Sequence, residues 1–187
     1  MQIEKLESGN YYHIYNRGNN GQDIFLEDIN YNYFLGLVKK YIVPISEIYC
    51  YCLLKNHFHI LLRINDDFEN PSKYFSNLFN AYTKAINKKY NRTGSLLEKP
   101  FKRIRITDEK YLKILILYIH LNPENHQVSK NFSNYKYSSY QSIISLKKTN
   151  IKRNDVISYF DDKENFITTH LERKIHINNK NNQIFLE

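Results

Sequence analysis

The stretch Cys50–Ile64 has the clearest hydrophobic pattern in the chain, and it reads CYCLLKNHFHILLRI. Side chains of a β-strand alternate between the two faces of a sheet. The even-numbered positions from 58 to 64 are all apolar and would share one face. His57 and His59 would point together from the other face, beside Arg63. The pattern therefore predicts a buried strand that presents two imidazoles to the same side.

Alternating and helical hydrophobic periodicity predict the elements around this histidine strand. The other predicted strands are Tyr11–Tyr15, Ile45–Leu54 and Phe101–Ile106, and the predicted helices are Asp28–Val43, Ser72–Tyr90 and Thr107–Leu121. The order β-α-β-β-α-β-α begins with the split βαβ, ferredoxin-like arrangement. We therefore predict an α+β fold with an antiparallel sheet and helices on one face. The other face would remain open for His57, His59 and Arg63.

Composition and charge indicate the class of partner. The chain has 27 Lys+Arg against 19 Asp+Glu, a net charge of +8, which suggests an anionic partner such as nucleic acid. A solvated basic surface is the alternative. The 17 tyrosines could stack on bases, although an AT-rich genome would also enrich tyrosine. With two cysteines, Cys50 and Cys52, no signal-peptide pattern and no membrane-spanning run, we expect a cytoplasmic protein with reduced thiols.

The chemistry that the chain could perform depends on which other side chains lie near the two histidines. Neutral imidazole binds divalent cations, so His57 and His59 are candidate metal ligands, with local hydrogen bonding as the alternative. Tyr118 and Asn122 have i, i+4 spacing, and Pro123 is expected to end their helix. If this helix packs over the histidine strand, Asn122 could offer an oxygen to the metal. Tyr118 could then attack a phosphodiester, or it could simply be a core tyrosine.

Several motifs in fixed order resemble a known family. They are YYHIYNRGNN at Tyr11–Asn20, YCLLKNHFHILLRI at Tyr51–Ile64, FNAYTKAINKKYNRTGSLLEKPFKRIRI at Phe79–Ile106, YIHLNP at Tyr118–Pro123 and YSSY at Tyr137–Tyr140. The His-hydrophobe-His motif resembles that of the HUH single-tyrosine transposases. Together the motifs are similar to the REP-associated tyrosine transposases over roughly residues 9–140.

The resemblance implies a ferredoxin-like catalytic domain, which we place in residues 1–140. Residues 141–187 lie outside the resemblance, and their pattern predicts a small helical extension of unassigned role with a frayed basic tail. It implies cleavage and strand transfer of hairpin-flanked single-stranded DNA, with a 5′-phosphotyrosine intermediate and Mg²⁺ or Mn²⁺ as cofactor. His57 and His59 match the metal ligands, Tyr118 matches the nucleophile and Asn122 matches the third polar ligand. Relatives commonly read NPVRAG after the helix, whereas this chain reads NPENH and lacks that basic residue.

Basic residues near the predicted catalytic helix are candidates for contacts to the DNA backbone. They are Arg17, Lys84, Lys88, Lys89, Arg92, Lys99, Lys102, Arg103 and Arg105. We expect a single-stranded, hairpin-containing DNA partner, no membrane partner, association with the nucleoid through DNA, and a monomer or homodimer. Two other functions remain open: a hairpin DNA- or RNA-binding protein without catalysis, and a metal-dependent nuclease that uses water.

Overall fold

The structure is a computed structural model that describes residues 4–180, with side chains for residues 4–174. Within this range the strands are β1 (Tyr11–Arg17), β2 (Ser46–Leu53), β3 (His57–Ile64) and β4 (Lys102–Ile106). They form one sheet in the order β2-β3-β1-β4, and every neighbouring pair is antiparallel. The predicted α+β, ferredoxin-like topology is therefore confirmed.

Helices connect these strands and follow them. They are α1 (Asp28–Tyr41), α2 (Pro71–Lys89), α3 (Glu109–Asn125), α4 (Tyr140–Ile144), α5 (Arg153–Ser158) and α6 (Lys163–Lys180). Short 3-10 helices lie at Asn19–Gly21, Val43–Ile45 and Phe132–Asn134. The last residues of the predicted C-terminal extension, 181–187, lie outside the described residues. No helix in the described range is long and apolar enough to cross a membrane.

One face of the sheet packs against α1 and α2, as strand alternation predicts. The even-numbered side chains of β3 belong to this core. The ring of Phe58 lies 5.0 Å from that of Phe34 in α1 and 5.7 Å from that of Phe79 in α2, measured between centroids. Aromatic pairs at such distances stabilise a core beyond simple area burial. This layer fixes β3 so that its odd-numbered residues must face the opposite side.

The opposite face is covered, which corrects the expectation that it is open. Leu61, on the histidine side of β3, shares a second core with Leu115 and Ile119 of α3. Val156 and Phe166 from the C-terminal helices extend this core. Their burial removes apolar surface from water and explains why this face needs a second helical layer. Functional groups on this side therefore lie at the edge of a packed interface.

Helix α3 begins and ends where its local chemistry allows. Asp108 caps the N-terminus, and its carboxylate accepts hydrogen bonds from the backbone of Lys110 at 3.1 Å and Tyr111 at 3.2 Å. The predicted end at Asn122-Pro123 is wrong, because the helix continues to Asn125. Pro123 lacks one N–H donor, but the last turn still closes with the His126 N–H donating to the Asn122 carbonyl at 2.9 Å.

Both cysteines are buried in the second core, and both are free thiols. Cys50 and Cys52 lie on β2 with their side chains on the α3 side of the sheet. Burial raises the pKa of each thiol above its ordinary value. The expectation of reduced, packed cysteines is confirmed.

Candidate active site

A pocket of about 330 Å³ opens where β1, β3 and the end of α3 meet. Both predicted histidines and two of the nine predicted basic residues, Arg17 and Lys102, line it. The lining residues are Tyr15, Asn16, Arg17, Asn56, His57, Phe58, His59, Glu98, Lys102 and His126. Polar and cationic groups at the mouth of a partly apolar pocket suit a polyanionic ligand.

Each of the two predicted metal-binding histidines is oriented through its Nδ1 atom. The rings of His57 and His59 are 5.2 Å apart between centroids. Nδ1 of His57 lies 2.7 Å from Oδ1 of Asn56, and Nδ1 of His59 lies 3.0 Å from Nε2 of His13. The Nε2 atom of each histidine is buried. Such hydrogen bonds fix ring orientation and tautomer in metal-binding histidines.

His13 is the least expected member of this group. Its side chain is wholly buried on β1, and its ring stacks against that of Tyr15 at a centroid distance of 4.7 Å. Burial, and then the neighbouring His59, lower the pKa of His13 well below its ordinary value. The imidazole is therefore neutral at physiological pH.

Helix α3 presents one stripe of residues to the histidines. The half-buried Tyr118 ring lies edge-on to His59 at a centroid distance of 5.5 Å, and the His126 ring lies 4.7 Å from that of His57. Asn122 is midway along the same stripe, because residues at i, i+4 and i+8 share a helix face. The predicted Tyr118 and Asn122 thus lie on the side of α3 that faces the histidine pair.

The Asn122 amide has one satisfied and one unsatisfied end. Its Nδ2 donates to the Tyr118 carbonyl at 3.0 Å. Its Oδ1 is buried and has no hydrogen-bond partner among the described residues. A buried polar atom without a partner is costly and calls for an explanation. Coordination of a divalent cation by this oxygen would be such an explanation.

The donor set fits a hard divalent cation only if an amide oxygen takes part. In the described part of the chain, no group of three His, Cys, Asp or Glu side chains could hold a metal ion. The third ligand must therefore be of another type. The orphaned Oδ1 of Asn122, on the same face of α3 as the Tyr118 ring that contacts His59, is an oxygen of this other type. Imidazole and amide oxygen are competent ligands for Mn²⁺ and Mg²⁺.

Two of the predicted DNA-binding residues reach the histidine pocket. Lys102, at the start of β4, and Arg17, at the end of β1, both line it. Arg17 Nε lies 2.5 Å from Glu98 Oε1, so this carboxylate holds the guanidinium at the pocket wall. Exposed ion pairs of this kind contribute little to stability.

Two further predicted residues line a separate groove between α2 and residues 94–103. The groove has a volume of about 460 Å³, and Lys99 and Arg103 belong to its wall. The guanidinium of Arg103 stacks 3.7 Å above the ring of Phe101 and donates to Ser72 Oγ at 3.2 Å. Burial lowers the pKa of Arg103.

The remaining predicted DNA-binding residues are not gathered at the pocket. Lys89 pairs with Glu27 at 3.1 Å, and Arg105 pairs with Glu7 at 3.1 Å. Arg92 donates to the side chains of Asn87 and Gln22. Lys84 and Lys88 are exposed on the outer side of α2. Of the nine predicted residues, only Arg17 and Lys102 therefore line the histidine pocket.

Sequence reasoning missed several residues of the pocket. His13, Asn56, Glu98 and His126 were not among the candidates, although all four contact or line the site. His13 could have been found from its alternation with Tyr15 on a predicted strand. His126 follows Tyr118 by eight residues, but the expected helix end at Pro123 hid that relation.

Comparison with known proteins identifies the fold. No known protein family model matches the sequence, and no curated protein does. Among solved structures, a REP-associated tyrosine transposase bound to a REP hairpin matches with a TM-score of 0.64 and 14% sequence identity. The match covers 77% of this chain and 84% of that chain. The chain therefore has the fold of a REP-associated tyrosine transposase, which confirms at the level of fold the likeness expected from its motifs.

Proposed function

We propose that the protein cleaves single-stranded DNA beside hairpins and transfers the cut strand through a covalent 5′-phosphotyrosine at Tyr118. A divalent cation, Mg²⁺ or Mn²⁺, would be held by His57, His59 and Asn122. The observation that carries this proposal is the orphaned Oδ1 of Asn122, on the helix face whose Tyr118 ring contacts His59. His57 and His59 line the pocket, and the contact between the Tyr118 and His59 rings supports the placement of a nucleophile next to the proposed ligands.

The reaction exchanges one phosphodiester for another. The Tyr118 oxygen forms a bond to phosphorus while the bond to the 3′-oxygen breaks, and that oxygen leaves as a 3′-hydroxyl after taking up a proton. When bound, the cation polarises the phosphodiester and neutralises charge on its oxygens. Attack by another 3′-hydroxyl on the phosphotyrosine restores a phosphodiester and frees Tyr118. The energy of the cleaved bond is conserved for strand transfer.

The charges around the pocket support a DNA substrate. Arg17 and Lys102 at its wall would bind the phosphates that flank the cleavage position. The solved transposase with this fold is bound to a REP hairpin, and that supports a hairpin-containing partner for this chain. Lys99 and Arg103 would extend contact along the neighbouring groove. Because base stacking tolerates many sequences, tyrosines near the pocket would add affinity without fixing the target.

A covalent-trapping assay tests the proposal. Labelled single-stranded hairpins from the flanking genomic DNA are incubated with the protein and Mn²⁺, and the products are separated under denaturing conditions. We expect a protein–DNA adduct that disappears with EDTA. Tyr118→Phe should lower adduct formation on the order of a thousandfold or more, because no other group forms the covalent bond. Binding of the uncut hairpin by this variant should persist.

Tyr111→Phe is the matched control, since Tyr111 lies on the same helix two turns before Tyr118. This variant should form the adduct at the wild-type rate. Cleavage without any adduct would contradict the proposal and indicate a nuclease that uses water. Tight hairpin binding with neither cleavage nor adduct would indicate a non-catalytic binding protein.

A further inference from the structure

The two metal-binding histidines of the proposed function are held by different kinds of partner. Asn56 meets His57 through Oδ1, which can only accept a hydrogen bond. His13 meets His59 through a ring nitrogen, Nε2, at 3.0 Å, and a ring nitrogen can either donate or accept. The tautomer of His57 is therefore fixed by its partner. The tautomer of His59 depends on where the shared proton of the imidazole pair lies.

Metal binding decides the position of that proton. A histidine that coordinates through Nε2 needs the lone pair of that atom, so its neutral ring carries the proton on Nδ1. Nδ1 of His59 then donates to Nε2 of His13, and His13 carries its own proton on Nδ1. In the other arrangement, Nε2 of His13 donates to Nδ1 of His59. His59 then carries its proton on Nε2, and that atom has no lone pair with which to bind a metal.

The surroundings of His13 offer its ring few polar partners other than His59. In the register of the sheet, Tyr15 pairs with His59, so His13 lies diagonally across from His59 on the same face. Tyr15 stacks on one side of the His13 ring. Its Nδ1 atom is buried and has no hydrogen-bond partner among the described residues. Among the residues with described side chains, the hydrogen bond to His59 is thus the one hydrogen bond of the His13 ring.

We propose that His13 is a positioning residue that accepts a hydrogen bond from His59 and so holds His59 Nε2 ready for the metal. The inference rests on the proposed function, because it assigns a task within that metal site. It also predicts which substitution preserves the task. Glutamine places an amide oxygen near the position of Nε2 and keeps an acceptor, whereas leucine keeps the volume and removes the acceptor.

The test measures Mn²⁺ binding in the absence of DNA, by the electron paramagnetic resonance signal of free Mn²⁺. The proteins are wild type, His13→Gln, His13→Leu and His57→Ala. We expect His13→Leu to weaken Mn²⁺ affinity by about tenfold or more, the size of effect usual for a partner of a ligand. His13→Gln should stay within about threefold of wild type. Equal affinity of folded His13→Leu and wild type would overturn the role of His13.

Two further readouts separate this role from folding and from the metal site itself. Circular dichroism identifies variants that fail to fold. Nitrogen-15 NMR of the wild type saturated with Mg²⁺ should show His59 protonated on Nδ1, and protonation on Nε2 would overturn the inference even without the leucine variant. A wild type that binds Mn²⁺ no better than His57→Ala would overturn the proposed metal site and the role of His13 with it.

Discussion

At the residue scale, the Asn122 amide links the proposed nucleophile to the proposed metal. Its Nδ2 donates to the backbone carbonyl of Tyr118 at 3.0 Å, and this hydrogen bond restrains the amide while Oδ1 stays buried without a partner among the described residues. A ligand that is held in place before the metal arrives loses less conformational freedom on binding. The same hydrogen bond therefore helps both Asn122 and the helical turn that carries Tyr118.

Substitution of Asn122 should affect metal binding far more than stability. We expect Asn122→Ala to weaken Mn²⁺ affinity by at least about tenfold, because an oxygen ligand is removed. Asn122→Asp should retain Mn²⁺ binding, since it supplies an anionic oxygen at the same position. Asn125→Ala, in the last turn of the same helix, is the control. Isothermal titration calorimetry measures these affinities, and unchanged binding by Asn122→Ala would exclude it as a ligand.

The sequence predicts the histidine pair well and its surroundings poorly. Strand alternation alone places His57 and His59 on one face of the sheet. Helical spacing alone places Tyr118 and Asn122 on one face of their helix. The contact between His13 and His59 depends on strand order and register, which no local pattern contains. The contact between His57 and His126 depends on a helix that continues past Pro123, against the usual rule. Both contacts therefore depend on how distant parts of the chain pack together, and a local sequence pattern does not reveal that.

At the element scale, α3 is held by a buried chain of polar groups on the side away from the pocket. Nδ1 of His120 lies 2.9 Å from Nε2 of His170 in α6, and Nε2 of His120 lies 2.9 Å from Ser139 Oγ. The backbone N–H of Tyr51 in β2 donates to Ser139 Oγ at 2.8 Å. This network joins α3 to α6 and to the edge of the sheet. Buried networks of this kind fix one arrangement of their elements.

The buried histidines of this network should make stability fall in acid. Burial lowers the pKa of His170 to about 4, whereas an unfolded histidine has a pKa of about 6.5. Between these values the unfolded chain binds a proton that the native chain excludes, so the free energy of unfolding decreases as pH falls from about 6.5 to about 4. The loss should be on the order of 3 kcal/mol.

Urea unfolding across this pH range checks the prediction by comparison with His170→Gln, which lacks the titrating group. The variant should lose less stability in acid than the wild type. The same pH dependence in both proteins would contradict the account. Above pH 7 the depressed pKa of His170 contributes nothing, because the ring is neutral in both states.

The main elements could be predicted from hydrophobic periodicity, but the second helical layer could not. The strong alternation of β3 and the amphipathic pattern of α2 give the sheet and one layer. The C-terminal helices contribute only a few apolar residues, such as Val156, Phe160 and Phe166, to the second core. Their pattern indicates helices without indicating what they cover. The face that appears open in sequence is therefore closed in the fold.

At the scale of the whole molecule, the net charge of +8 is spread over the surface, and only part of it lies at the pocket. Three of the nine cations predicted to bind DNA, Arg17, Lys89 and Arg105, form ion pairs with acidic side chains in the described part of the chain. Net charge alone therefore does not show which cations would contact an anionic partner, and the pocket geometry selects particular residues. Lys102 and Arg105 of β4 show the difference, because Lys102 lines the pocket and Arg105 pairs with Glu7.

Neutralising Lys102 and Arg105 one at a time should distinguish a cation that contacts DNA at the pocket from one that adds only to the net charge of the protein. We expect Lys102→Gln to weaken binding of a single-stranded hairpin and to reduce the slope of log affinity against log salt by about 0.7, the value for one phosphate contact on a single strand. Arg105→Gln is the matched control on the same strand and should leave the slope nearly unchanged. Fluorescence anisotropy at several salt concentrations measures both. Equal effects would contradict the placement of DNA at the pocket.

The most direct test of the central claim locates the covalent bond. The trapped adduct is digested with nuclease and trypsin, and the peptides are sequenced by mass spectrometry. Cleavage after Lys113 and Lys130 releases a peptide in which Tyr118 is the single tyrosine. We expect a nucleotide phosphate on Tyr118 in this peptide, formed only when Mn²⁺ or Mg²⁺ is present. A nucleotide on any other residue would contradict the account, as would an active protein with no modified peptide.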